Sequence, residues 1–159
     1  MPADYFLKID GIPGESPDAK HKDEIQLESW SWGESQVGAH SAGGGAGKVQ
    51  MNDFQFVMKI NKASPALFIN CATGSHIKKA QLTCRKAGGE QQEYLKIYFE
   101  DLLISTYQTG GQATGDAVPD DQIAFNFTTI KFEYAPQKAD GSLGAPVIFG
   151  YDLKQNKKL

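Results

Sequence analysis

"GAHSAGGGAGKVQMNDFQFVMKI", residues 38–60, decides between two folds. Its first half has glycines running up to a lysine, as in the loops that cradle nucleotide phosphates. Such a loop needs the spacing G-x-x-x-x-G-K-[ST] between a buried strand and a helix, with a hydroxyl after the lysine to hold Mg²⁺. Gly47 and Lys48 fit, but Ala42 stands where the leading glycine belongs and Val49 where the hydroxyl belongs. Beyond Lys48, Phe54, Phe56, Met58 and Ile60 alternate with Gln55, Val57 and Lys59. That period of two makes a strand, not a helix. The glycine stretch, 38–48, therefore reads as an extended loop between strands. A nucleotide-binding α/β fold gives way to a β protein.

The neighbouring segments repeat the pattern. "DYFLKID" (4–10) is a strand stopped by the turn-rich "GIPGESPD" (11–18). "DEIQLESWSW" (23–32) is another, with Ile25, Leu27, Ser29 and Ser31 on one face and Gln26, Glu28, Trp30 and Trp32 on the other. "SPALFINCATG" (64–74) breaks the alternation with helix punctuation. Ser64 is placed to cap, Pro65 suits the first turn and Gly74 suits a left-handed end. Leu67, Phe68 and Cys71 then share one side, predicting a short helix packed on the outside of a sheet. Strands resume with "HIKKAQLTCRK" (76–86), a hairpin turn, and "QQEYLKIYFEDLLIS" (91–105). In "QIAFNFTTIKFEYAPQ" (122–137), Ile123, Phe125 and Phe127 share one face and Ile130, Phe132 and Tyr134 the other, so a bulge is expected near Thr128. "DGSLGAPVIFGYDL" (140–153) supplies the last turn and strand, leaving a short basic tail, 154–159. The whole, 1–159, reads as one all-β domain, mainly antiparallel: a closed or nearly closed barrel or sandwich with one short helix.

Charge and composition narrow the function. Sixteen basic against nineteen acidic residues give a net charge of −3, so no broad basic surface invites a nucleic acid. No apolar run is long enough to insert in a membrane, and "MPADYFLKID" does not read as a signal peptide. Cys71 and Cys84 are expected as reduced thiols, without the spacing of a metal site. The histidines, His21, His40 and His76, show no ligand spacing, and no G-x-S-x-G occurs. Glu100 and Asp101 should point to opposite faces of a strand, and Asp120 and Asp121 sit beside Pro119 in a turn. No nucleophile, base and orienting group assemble from these residues. The expectation is no enzyme, no catalytic residue, no cofactor and no metal.

Several stretches together resemble the Hcp family, the haemolysin-coregulated proteins of bacterial type VI secretion. They are "DYFLKIDGIPGES" with "KHKDEIQLESWSWG", "ASPALFINCATGSHI", "RKAGGEQQEYL" and "GYDLKQNKK", in order and spread over nearly the whole chain. The resemblance implies a β-barrel of two sheets with a helix on its flank. It further implies six copies joined in a ring, and rings stacked into a tube resembling a phage tail tube. A sheath drives that tube, a spike accompanies it, and effectors are carried and protected in the ring lumen. On this reading the protein is cytoplasmic before firing and then secreted without a cleavable signal peptide. Because the barrel takes the chain through Leu153, any toxic activity would belong to separate cargo.

Within that frame the glycine stretch reads as the family's extended loop. Gly43, Gly44, Gly45, Gly47 and Lys48 become candidates for contact with an adjacent subunit or ring. Ser29 and Ser31 are the candidates for the lumen, since a channel passing varied cargo favours small polar groups. Trp30 and Trp32 then pack inward. The alternative is a monomeric β-barrel that binds a small ligand. Against it, Phe54, Phe56, Leu95, Ile97 and Phe99 look able to fill the interior. A small hydrolase using His76 or the acidic pairs lacks a constellation.

Overall fold

The computed structural model describes residues 3–36, 48–86, 91–115 and 118–159. In chain order these form β1 (Ala3–Ile9), β2 (Ile25–Leu27), β3 (Ser29–Ser31), β4 (Glu34–Gln36), β5 (Val49–Met51) and β6 (Phe54–Lys59). The helix α1 (Ala63–Thr73) follows. Then come β7 (His76–Lys86), β8 (Glu93–Gly110), β9 (Asp120–Tyr134), β10 (Val147–Asp152) and β11 (Lys157–Lys158). The expected strand 49–60 is broken at Asn52 and Asp53 into β5 and β6, which join different sheets, and Phe54, Phe56 and Met58 point inward from β6 as expected.

Nine strands form one antiparallel sheet, ordered β11-β10-β9-β8-β7-β1-β2, with β6 added to β9 and β3 to β6. β4 and β5 make a separate two-stranded ladder. Among the described residues there are thus two sheets and one helix, but not a closed barrel. The run 23–32 is not one strand either. It breaks at Glu28, so that β2 pairs with β1 while β3 pairs with β6. The break also reverses its faces: Ile25 and Leu27 are buried, and beyond it Trp30 and Trp32 pack against the core while Ser29 and Ser31 face out.

β8 and β9 form the long ribbon on which everything else hangs, and both change phase at one level. In β8 the inward residues are Leu95, Ile97 and Phe99, then Leu102 and Ile104. In β9 they are Ile123, Phe125 and Phe127, then Ile130. The shift in β8 falls at Asp101, whose φ of 55° is left-handed. This places Glu100 and Asp101 both in solvent, not on opposite faces as the sequence suggests. The shift in β9 falls at Thr128, where the pattern of the sequence breaks. Thr128 Oγ1 donates to Asp101 Oδ2 at 2.8 Å, and His76 Nδ1 lies 2.8 Å from Asp101 Oδ1. These contacts, His76 first and Thr128 second, hold the Asp101 carboxyl below its ordinary range.

Phenylalanines fill the interior. The Phe54 ring lies 5.0 Å from Phe99, 5.1 Å from Phe125 and 6.1 Å from Phe56, and all four are buried. Burying each contributes roughly 1.5–3 kcal/mol. Phe54, Phe56, Leu95, Ile97 and Phe99 all belong to this buried cluster.

α1 lies against β8. It runs Ala63–Thr73, and Gly74 ends it at φ 66°. Ser64 is not its cap. Asn61 Oδ1 accepts the Ala63 N–H at 2.8 Å, while Ser64 lies inside the first turn, buried. Its hydroxyl donates instead to Asp121 Oδ2 at 2.6 Å, and Tyr107 O–H donates to the same oxygen at 3.1 Å. The helix is therefore tied to both strands of the ribbon. Leu67 is buried, but Phe68 is 56 % exposed, so the apolar side is narrower than the spacing of Leu67, Phe68 and Cys71 suggests.

The loop from Gly11 to Glu24 closes over the outer face of β1 and β7 through charge. Arg85, 3 % exposed, reaches Asp18 with both terminal nitrogens and Asp4 with Nε at 3.2 Å. The His21 ring stacks on Phe6 at 4.4 Å, with Nδ1 3.0 Å from Glu24 and Nε2 2.9 Å from Glu93. Gly14 is required for this closure, because a Cβ there would meet the Glu24 carbonyl oxygen at 2.5 Å. Both cysteines are free thiols, and burial pushes that of Cys84 up to about 12. The end of the chain is more than a solvated tail. β11 pairs with β10, and the Leu159 N–H donates to the Gly150 carbonyl at 2.9 Å.

The guanidinium of Arg85 draws the Asp18 carboxyl down to about 2, from 3.8. A carboxylate depressed on folding stabilises the fold above its unfolded value and loses that contribution as pH falls through the folded one. Asp18→Asn should therefore lower the urea midpoint at pH 5 to 7, with the gap to wild type shrinking from about pH 4 and closing only below pH 2. A gap that stays constant with pH would remove the ion pair as its cause.

Candidate functional site

The surface of interest begins at β3, where two tryptophans fix which side chains face out. Trp30 stacks on Phe54 at 6.0 Å and meets Tyr5 edge-on at 6.2 Å. Trp32 lies 6.3 Å from Phe127. With both indoles against the core, Ser29 and Ser31 are exposed by strand alternation.

The register carries this face across four strands. Ser31 is opposite Gln55, Gln55 opposite Ala124, and Ala124 opposite Thr106. One row along, Ser29, Val57, Gln122 and Gln108 stand side by side. A shallow depression of about 260 Å³ lies over them, and no ionisable side chain among the described residues lines it. Beyond Gln108 it continues toward Thr109, Gly110 and Gln112. The serine pair was legible from the tryptophans. Gln55, Thr106, Gln108 and Gln122 were not, because only strand order brings them together. Their one signal in the sequence is that residues alternating with core positions are neutral rather than charged.

Charges border the face without entering it. Lys59 Nζ lies 3.3 Å from Asp120 Oδ1 and 3.8 Å from Glu28 Oε2. On another side Ser105 donates to Asp53. The amides and hydroxyls between can both donate and accept hydrogen bonds, and they offer neither a fixed charge nor a broad apolar patch. Chemically the face can hold polar groups weakly and hold none in particular.

The other candidates lie elsewhere. Lys48 is exposed and immediately precedes β5. Gly43, Gly44, Gly45 and Gly47 are outside the described residues, within the connection from β4 to β5. His21 is consumed by the N-terminal loop and His76 by the corner at Asp101, 2.8 Å away. Among the described residues, no cluster of His, Cys, Asp or Glu is placed to hold a metal ion, and no helix is long and apolar enough to cross a membrane.

The two sides of β3 should answer differently to substitution. Trp30→Ala should cost about 3 kcal/mol by leaving a cavity beside Phe54. Ser31→Gln should change stability by less than about 0.5 kcal/mol, as an exposed position does. Equal losses in chemical denaturation would mean that the face is not free.

Comparison with known proteins agrees with this arrangement of strands and helix. The family model described as "Type VI secretion system effector, Hcp" matches residues 6–134. Protein hcp1 of Pseudomonas aeruginosa is 44% identical over 160 residues, covering 98% of each chain. The crystal structure of Hcp1 from Salmonella typhimurium superposes with a TM-score of 0.83 at 40% identity, over 100% of both chains. The structure of a type six secretion system protein reaches a TM-score of 0.93 at 26% identity, over 99% of this chain and 100% of that one. With the match running from β1 to the end of β9 and the relatives spanning nearly the full length, this chain belongs to the Hcp family of type VI secretion proteins.

Proposed function

We propose that the chain is a structural subunit of the type VI inner tube. Six copies form a ring, rings stack into the tube, and effectors travel in the ring lumen. The observation that carries this reading is the neutral face of Ser29, Ser31, Gln55, Thr106, Gln108 and Gln122. A conduit for varied proteins must not trap them. Fixed charge would select by sign, and a large apolar patch would bind whatever is exposed. Small hydroxyls and amides avoid both, so this face is assigned to the lumen and Ser29 and Ser31 to cargo contact.

The β4–β5 ladder supports the stacking role of the connection it carries. Two short strands, largely exposed, are marginal alone and gain from a further partner. Gly43, Gly44, Gly45, Gly47 and Lys48 are assigned to contact with an adjacent subunit or ring. Sheath and spike are the remaining partners, and the subunit leaves the cytoplasm with the tube.

The native mass tests the assembly. Wild type should run near six times 17.3 kDa, with ring-shaped particles in negative stain. A monomer at all concentrations would instead favour a ligand-binding barrel. Cargo tests the lumen. Ser31→Arg should leave rings intact while effectors co-purify at least about tenfold less, the loss expected from one unfavourable charge of about 1.4 kcal/mol. Full retention of every effector would move the lumen to another face.

A further inference from the structure

Side chains, not backbone, hold the loop 13–24 to the sheet. Its backbone hydrogen bonds run among its own residues. Gly14 N–H donates to the Asp23 carbonyl at 2.7 Å, Ser16 N–H to Glu24 at 3.0 Å and Asp23 N–H to Ser16 at 2.9 Å. The loop is anchored at either end, since Ile12 and Ile25 are buried in the core. Between those ends it meets the rest of the fold through Asp18 on Arg85, Glu15 on the Lys62 N–H at 2.8 Å, and His21 on Phe6 and Glu93. It is a strap, with Phe6 and Arg85 buried beneath it.

The His21 contact makes a demand that the other two do not. The residue is 6 % exposed, and its ring lies between two carboxylates, with Nδ1 3.0 Å from Glu24 Oε1 and Nε2 2.9 Å from Glu93 Oε2. Both are hydrogen-bond distances, and each bond needs its own hydrogen. A neutral imidazole brings one N–H, and an ionised carboxylate brings none. With that single hydrogen, a nitrogen lone pair would press on a carboxylate oxygen in a site shut off from water. The neighbours do not supply the second one. Arg85 of β7 is engaged by Asp18 and Asp4, and Lys96 of β8 approaches the other oxygen of Glu93 at 3.8 Å. The Phe6 ring of β1, stacked at 4.4 Å, has no hydrogen to give. Both contacts therefore close only when His21, Glu24 and Glu93 together bind one further proton, whichever of the three carries it.

We propose that this trio is a proton-operated latch on the strap. It is closed while the extra proton is bound and releases as pH rises and the proton leaves. The Arg85 contact has the opposite requirement, an ionised Asp18, and fails in acid. The strap is thus pinned at both points only between those limits. The latch belongs to the fold of one subunit and stands whether the chain is alone or in a ring.

Amide hydrogen exchange of the full-length protein tests it. The bonds of Gly14, Ser16 and Asp23 are marginal in a detached loop, so these amides exchange when the strap lifts. The range to cover is pH 6 to 8.5, where imidazoles exchange protons and Asp18 stays ionised. After correction for intrinsic rates, protection of 13–24 should fall with rising pH by up to about tenfold per pH unit, the slope of one linked proton. Amides of β8 and β9 should not follow it. Glu93→Gln brings a carboxamide that can donate to Nε2 with no added proton. Its strap should therefore be as protected at pH 8.5 as at pH 6, whereas Glu93→Ala should lose protection already at pH 6. Wild-type protection that is flat across the range would overturn the latch. So would a Glu93→Gln slope equal to that of wild type, or a Glu93→Ala strap as protected as wild type at pH 6.

Discussion

A two-stranded ribbon can serve two halves of one core only if both strands turn over at the same level. Asp101 and Thr128 meet that condition, one with a left-handed backbone and the other with a hydroxyl bonded to it. Had β9 kept its odd residues inward beyond Phe127, Lys131 and Glu133 would lie in the core, and Ile130, Phe132 and Tyr134 would face away from it. The corner is what directs Phe54, Phe99, Phe125 and Phe127 to a common centre. It also sorts the exposed residues. Gln122 and Ala124 reach the neutral face because they precede the turn-over, and Phe132 and Tyr134 fall on the core-facing side because they follow it.

Much of this architecture is readable from alternation alone. β6 declares itself by Phe54, Phe56 and Met58, and the break at Thr128 shows as two runs of opposite parity. The errors have a shared cause, since alternation gives faces but not partners. Nothing in "IQLESWS" says that Leu27 and Ser29 belong to different neighbours, and that exchange reverses which parity is inward. Asp101 looks like one of two charges on a strand, because a left-handed residue other than glycine has no local mark. Ser64 has the composition of a cap, yet a buried carboxylate 57 residues away claims its hydroxyl. Arg85 looks like a surface cation until a loop from the other end of the sequence closes over it.

The surfaces follow the same rule. Ser29 and Ser31 could be picked out because a tryptophan occupies each alternate position and must be sheltered. The glutamines that complete their face come from strands between 24 and 93 residues further along, so only the register reveals a continuous neutral patch. The exposure of Phe132, Tyr134, Val147 and Phe149 was hidden for the opposite reason. "FEY" and "PVIF" have the composition of core strands, and sequence does not tell a core face that is covered from one that overhangs. Membership in the Hcp family places the fold within type VI secretion.

The strand order also fixes when the chain can fold. β9 pairs with β6, β8 and β10, and β1 finds its central neighbour only in β7. During synthesis, then, β1 leaves the ribosome and waits for some 70 residues. Trp30, Trp32, Phe54 and Phe56 wait longer still, until residues 120–134 emerge. Pairings so distant in sequence are slow to form and leave apolar strands exposed meanwhile. Each newly made chain therefore passes through an interval in which its strands are exposed before the core has formed, and its yield in the cell depends on how that interval is guarded.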